Sequence, residues 1–279
     1  MKLFVHPKIQ TGLGLASNTY KKILEKKEIT MRELLTWAAG RGFSWLEVRD
    51  PDVLMTKEEL LDLKNLAEKL DMRLHYSWDN EDLLVELPAF EKGMENAAVL
   101  GEGTCCRVLL ASHAVKGKKG YSKEEIERLV PIIKKYVRRA DELGITLCFE
   151  NSMEPIKGDG KEYYGMTELL EMCDGMCSTL DAANFTNQTT LVNPDEEDLV
   201  AYYQTFSERI PYFHMKATRN HELLDAVETD ADFDVFRLLD LFSRNEKMLV
   251  ALEIPQQPDL IRMTEMVEKS IQVLEEGRR

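Results

Sequence analysis

Four short apolar segments of the chain carry a carboxylate or an imidazole at or near their ends. The segment ITLCFEN ends in Glu150 and Asn151, MCSTLD ends in Asp181, IPYFHMK carries His214, and MLVALEI carries Glu253. Each segment has the length and apolar content of a buried strand. The carboxyl ends of the strands of a parallel barrel face one mouth, so these side chains would converge there. Three carboxylates and one imidazole predict a site for a divalent cation such as Mn²⁺, Mg²⁺, Co²⁺ or Zn²⁺.

Such a site has a definite chemistry. A cation that chelates adjacent carbonyl and hydroxyl oxygens acidifies the C–H bond between them, and a carboxylate beside it can act as general base or general acid. Without a cation, the clustered carboxylates would repel one another and their pKa values would rise. Taken singly, a glutamate after a strand is usually a solvated loop residue, and a histidine is often a hydrogen-bonded core residue. Their occurrence at four consecutive strand ends favours the metal site.

The elements that must position these side chains alternate regularly. Thr30 followed by Glu33 predicts a capping box at a helix start, and Thr56 begins another amphipathic helix. Eight strand-then-helix units can be counted, which predicts an α/β chain folded as a (β/α)8 TIM barrel. We expect a single domain over residues 1–279 with its core at about 12–276. A doubly wound open sheet is the alternative, but no GxGxxG motif follows the first strand.

Composition narrows the classes of partner. The chain has 279 residues with a formal net charge of -14, and 44% of its residues are hydrophobic. This acidity disfavours nucleic acid and anionic membranes as partners. No apolar run approaches the roughly 20 residues of a membrane span, and the start lacks a signal-peptide core, so a cytoplasmic location is expected. Five cysteines predict buried thiols, although a zinc pair at Cys173 and Cys177 is conceivable.

The order and spacing of five motifs make the sequence recognisable. GFSWLEVRD, LCFEN, LDAANF, FHMK and ALEI follow one another along the chain. With them, the sequence from about Gly12 to the C-terminus resembles the xylose isomerase-like TIM-barrel superfamily. That group contains sugar isomerases, epimerases and inosose dehydratases, and also apurinic endonucleases. Barrels of this kind commonly pair, so a homodimer is among the expected states.

The resemblance implies that Glu150, Asp181, His214 and Glu253 bind one divalent metal ion. It also implies that the two glutamates move protons on opposite faces of a bound ketose through a metal-stabilised enediolate. The expected activity is therefore that of a metal-dependent isomerase or epimerase acting on a small ketose or related polyol. An inosose-type dehydratase and a non-catalytic sugar-binding barrel stay open as alternatives.

One departure concerns Asn184, which stands where many epimerases of this group carry a histidine. An amide hydrogen-bonds but does not titrate, so a proton role is lost there. His75 and His113 match two zinc positions of the apurinic endonucleases, but Asn184 breaks that set, and DNA repair ranks low. Besides the metal set, six residues are candidates for substrate binding: Arg49, His75, Trp78, His113, Asn184 and Lys216.

Overall fold

The structure, a computed structural model, describes residues 2–79, 88–110, 120–152, 154–159, 161–186 and 195–277. Eight parallel strands form a closed barrel: β1 (Leu13–Ala16), β2 (Trp45–Arg49), β3 (Arg73–Trp78), β4 (Cys105–Leu109), β5 (Thr146–Glu150), β6 (Cys177–Asp181), β7 (Tyr212–Met215) and β8 (Leu249–Leu252). Each strand pairs with the next, and β8 pairs with β1, which closes the sheet. The predicted (β/α)8 barrel is confirmed.

At least one helix follows every strand. In chain order these are α1 (Lys21–Glu25), α2 (Met31–Arg41), α3 (Lys57–Lys69), α4 (Pro88–Leu100), α5 (Lys123–Leu143), α6 (Met166–Met172), α7 (Ala182–Thr186), α8 (Glu196–Phe206), α9 (Val235–Phe242) and α10 (Leu260–Glu276). The predicted capping box of Thr30 with Glu33 is present, and Thr56, the predicted start of a helix, forms a second one with Glu59. Within the described ranges, no helix is both long and apolar enough to cross a membrane.

Side chains alternate between the barrel interior and the helix layer along each strand. Leu46 and Val48 of β2 belong to the large core between strands and helices. Trp45 belongs to a separate buried cluster inside the barrel, where Tyr212 and Cys148 join it. Gly14 leaves the room that this cluster needs, because a Cβ there would stand 2.1 Å from the Trp45 ring. The floor of the barrel is thus filled by aromatic and thiol groups.

Towards the carboxyl ends of the strands, polar and charged side chains line the interior of the barrel. Glu47 follows Trp45 by two residues and also lies inside the barrel, since it hydrogen-bonds to Tyr212 and to His214 on β7. By the same alternation, Glu150 follows Cys148 and His214 follows Tyr212. The fold therefore sets an apolar floor beneath a layer of charged side chains at the mouth.

Candidate metal centre and active site

Glu150, Asp181, His214 and Glu253 meet at this mouth. They stand at or just after the ends of β5, β6, β7 and β8, and strand pairing sets Asp181 directly opposite His214. All four are buried, and each supplies a ligand atom that lies within 4.8 Å of the other three. The convergence expected from a parallel barrel is therefore present, and the group can hold a metal ion.

An amide clamp fixes the Asp181 carboxylate. The Asn151 side chain accepts a hydrogen bond from the Asp181 N–H at 2.8 Å and donates one to the Asp181 carbonyl, also at 2.8 Å. Asn184, in α7, donates its N–H to Asp181 Oδ1 and its side-chain amide to the Asn151 carbonyl, both at 2.9 Å. Asn184 therefore ties the ends of β5 and β6 together, and Asp181 Oδ2 is left facing the cluster.

The His214 ring is held from both of its nitrogens. Nδ1 lies 2.8 Å from Glu150 Oε1 and 2.9 Å from Glu253 Oε2. Nε2 lies 2.9 Å from Oε2 of Glu47, a buried carboxylate on β2. Burial alone would lower the pKa of His214, but Glu253, Glu47 and Glu150 together raise it well above its ordinary value. The imidazole is thus cationic in this arrangement and donates from both nitrogens.

Two further cations complete the cluster. Lys216 Nζ lies 2.6 Å from Asp181 Oδ2 and 3.3 Å from Glu253 Oε2. Arg107, on β4, contacts Glu150 Oε2 through Nη2. Burial acts to raise the pKa of both glutamates, yet Arg107 and His214 lower that of Glu150, and Lys216 and His214 lower that of Glu253.

Asp181 differs from the two glutamates. Burial raises the pKa of Asp181 to about 7, with Glu150 and Glu253 adding to the rise while Lys216 opposes it. A carboxyl group that ionises near neutrality gains most from an added positive charge. This is the residue whose ionisation a divalent cation would favour most.

The donor set suits a hard or borderline divalent cation. Carboxylate oxygens and one imidazole nitrogen are the ligands preferred by Mg²⁺, Mn²⁺, Co²⁺ and Zn²⁺ in proteins. Glu150 Oε2 and Asp181 Oδ2 are buried and accept no hydrogen bond from the described residues, although each contacts a cationic side chain. Both oxygens thus keep lone pairs that a cation can use. A cation at His214 Nδ1 would have to displace the proton there, so binding would release it.

Comparisons with known proteins agree with the fold. Neither a protein-family model nor a curated protein matches the amino-acid sequence. A D-psicose 3-epimerase, crystallised in the presence of D-fructose, matches with a TM-score of 0.66 and 14% identity over 95% of this chain and 98% of that one. An L-ribulose 3-epimerase matches at 0.61 and 14% over 96% and 86% of the two chains. A xylose isomerase domain-containing protein from Salmonella typhimurium LT2 matches at 0.60 and 12% over 96% and 98%. This chain shares the (β/α)8-barrel fold of these proteins.

Of the six predicted substrate contacts, Lys216 and Arg49 face the mouth of the barrel. Lys216 is part of the charged cluster itself. Arg49, two residues after Glu47 on β2, places Nη2 2.5 Å from Asp79 Oδ1. Asn184 lies beside Asp181, but its side-chain amide donates to the Asn151 carbonyl.

Two of the remaining predicted contacts, Trp78 and His75, lie away from the cluster. Trp78 lies on the outer side of β3, where its ring is fully buried and packs edge-on against Phe90 of α4 at 5.3 Å. The Trp78 ring is therefore covered by protein and does not face the mouth, where a substrate contact was expected. His75 is buried in the barrel below the mouth, where its Nδ1 accepts the Cys105 N–H at 3.0 Å. His113 lies outside the described residues.

Two charged residues of the cluster were missed by the sequence reasoning. Glu47 and Arg107 stand inside the apolar runs FSWLEV and TCCRVLLAS, where a strand read only for its end residue hides them. Glu47 also accepts hydrogen bonds from Ser77 Oγ at 2.8 Å and from the Tyr212 hydroxyl. The available signal was the charge itself, because an ionised residue within a buried strand needs a partner.

Proposed function

We propose that this protein is a divalent-metal-dependent isomerase or epimerase that acts on a small ketose or a related polyol. The observation that carries the proposal is the convergence of Glu150, Asp181, His214 and Glu253 within 4.8 Å at the mouth of the barrel. Sugar 3-epimerases among the structures that share this fold support the choice of reaction. The sequence identity between the chains is low, so the proposal rests on the site and not on the likeness.

In this proposal, Glu150, Asp181, His214 Nδ1 and Glu253 hold one cation, with Mn²⁺, Mg²⁺, Co²⁺ and Zn²⁺ as candidates. When bound, the cation would polarise neighbouring carbonyl and hydroxyl oxygens of the substrate and lower the pKa of the C–H bond between them. Glu47 keeps the His214 ring in place through Nε2, so that Nδ1 faces the carboxylates.

We assign the proton transfers to Glu150 and Glu253. A carboxylate takes the proton from the substrate carbon, and its partner returns one to the carbon or oxygen that needs it. Arg107 steadies Glu150, and Lys216 and Asn18 steady Glu253, whose Oε1 accepts from Asn18 Nδ2 at 2.5 Å. These contacts favour the ionised form, which the carboxylate acting as base needs before the reaction. The partner must take up a proton before it can return one to the substrate.

Solvent exchange tests the reaction directly. The chelator-stripped protein is reloaded with Mn²⁺ or Co²⁺ in deuterium oxide and incubated with a panel of ketoses, cyclitols and hydroxypyruvate. We expect metal-dependent uptake of deuterium at the carbon beside the carbonyl with the carbon skeleton retained, detected by NMR and mass spectrometry. Loss of water from the substrate would instead indicate a dehydratase. The absence of both changes for every compound would overturn the proposal.

A further inference from the structure

Two arginines form a cationic wall of the mouth on β2 and β4, beside the strands that carry the metal set. Arg49 follows Glu47 by two residues and so shares its inward orientation. Arg107 must also point inward, since it reaches Glu150. Both side chains are almost completely buried, at 7% and 4% exposure. Burial of two like charges in one wall requires anions nearby.

The described residues supply too few hydrogen-bond acceptors for this pair. One oxygen, Asp79 Oδ1, serves both guanidinium groups, at 2.5 Å from Arg49 Nη2 and 3.7 Å from Arg107 Nη1. The Nε and Nη1 atoms of Arg49 and of Arg107 have no hydrogen-bond partner among the described residues. These are four buried nitrogens on two cations, and an unpaired donor of a buried charge is costly.

Glu150 does not supply the missing hydrogen-bond acceptors. It contacts Arg107 Nη2 through Oε2, but its other oxygen is engaged by His214 Nδ1, and the proposed function gives it a cation to hold as well. Among the described residues, Asp79 is the carboxylate within ion-pair distance of both guanidinium groups, and Glu150 reaches only Arg107. Asp79 is itself 32% exposed, so water weakens its hold on them.

We propose that Arg49 and Arg107 bind an oxyanion of the substrate, a carboxylate or a phosphate, so that the molecule turned over is an acidic ketose. The planar guanidinium fork matches both oxyanions, and paired N–H donors give bidentate hydrogen bonds. Because Arg107 touches Glu150, the oxyanion and the chelating oxygens can belong to one small molecule. The inference deepens the proposed function and rests on it for the chemistry at the other end of the substrate.

Binding of simple anions to the metal-free, full-length protein tests whether Arg49 and Arg107 bind an oxyanion, and it requires no turnover. Inorganic phosphate and glycolate are titrated by calorimetry into the wild type and into Arg49→Gln. We expect saturable binding of at least one anion to the wild type, and weakening by roughly tenfold or more in Arg49→Gln, since charge-assisted pairs are lost. Whichever anion binds tells phosphate from carboxylate. Arg41→Gln is the matched control, because it removes the same charge from an exposed residue of α2.

The Asp79→Asn variant should change anion affinity in the opposite direction. Removing the carboxylate that Arg49 and Arg107 share should tighten anion binding several-fold, an outcome that a misfolded variant could not give. No anion binding by the wild type, or equal affinity in wild type and Arg49→Gln, would overturn the proposal.

Kinetics then separate this inference from the proposed function. With the metal-loaded protein, Arg49→Gln should raise KM for acidic ketoses by a larger factor than KM for neutral ketoses, whereas Arg41→Gln should leave both KM values unchanged. Equal effects on both would contradict an oxyanion role. Anion binding that depends on Arg49, without exchange on any ketose, would instead leave the oxyanion site standing and remove the proposed reaction.

Discussion

His214 Nε2 lies 2.9 Å from Glu47 Oε2, and this hydrogen bond fixes which nitrogen of the ring is left for the metal site. Glu47 is fully buried, and it is anchored in turn by Ser77 and Tyr212. Burial alone would raise the pKa of Glu47, but His214 and Arg107 lower it to about 2. An ionised carboxylate behind a histidine orients the ring and makes Nδ1 a better ligand.

Replacing Glu47 should therefore weaken metal binding although none of the four proposed ligands is changed. We expect Glu47→Gln to lower the Mn²⁺ affinity by roughly 10–100-fold, because the amide lacks the charge that holds the ring. Calorimetric titration of chelator-stripped protein measures the change. Glu33→Gln removes the same charge from an exposed capping residue of α2 and should bind like the wild type. An unchanged affinity in Glu47→Gln would refute the positioning role.

Lys216 competes with a cation for the same oxygens. Its ammonium group contacts both Asp181 and Glu253, so Lys216→Met should tighten Mn²⁺ binding by on the order of tenfold or more. The same variant removes the ammonium beside Asp181 and one of the two cations beside Glu253, so its metal-free form should melt at a lower temperature. Lys216→Arg keeps the charge and serves as the control. Weaker metal binding in Lys216→Met would show that the ammonium supports the site.

If Glu253 transfers a proton, replacing it should slow the uptake of deuterium by the substrate. Glu253→Gln should slow deuterium uptake by about 10²–10⁴-fold, the usual contribution of a general acid or base. Because Glu253 is also a proposed ligand, metal content is measured on the same samples, at a Mn²⁺ concentration that restores occupancy. Glu276→Gln at the end of α10 is the control. Full exchange activity in metal-loaded Glu253→Gln would exclude the assigned role.

His75 should make stability depend on pH. Burial lowers the pKa of His75 to about 3, and Arg73 adds to the effect. The folded protein keeps the ring neutral, whereas the unfolded chain takes up a proton below about pH 6.5, so this loss of stability begins as pH falls through that value. At pH 5 the free energy of unfolding should be about 2 kcal/mol lower through this residue alone.

Urea unfolding of wild type and His75→Gln at pH 7 and pH 5 isolates that contribution. Glutamine retains an acceptor for the Cys105 N–H but does not titrate. The wild type should lose about 2 kcal/mol more than the variant between the two pH values. Parallel losses would mean that His75 is already solvated or charged in the folded protein.

The barrel and its four converging strand ends could be predicted from the sequence because both depend on local signals. Capping boxes such as Thr30 with Glu33 mark helix starts, and apolar runs mark strands. Once eight parallel strands are accepted, their carboxyl ends must lie at one mouth of the barrel. That step needs no knowledge of side-chain direction.

Side-chain direction is what the sequence alone did not settle. Trp78 and Asp79 are neighbours, yet the Trp78 ring packs against α4 while Asp79 pairs with Arg49 at the mouth. A shift of one residue in strand register exchanges the two faces. Glu47 was overlooked for a related reason, since its partner His214 lies 167 residues away and only the closed barrel brings them together.

A crystal of the protein soaked in Mn²⁺, with diffraction recorded on both sides of the manganese absorption edge, shows whether the four residues hold one cation. We expect one strong anomalous peak at the mouth, about 2.0–2.3 Å from oxygens of Glu150, Asp181 and Glu253 and from His214 Nδ1. A peak bound elsewhere, or none at a Mn²⁺ concentration that saturates calorimetric binding, would contradict this expectation.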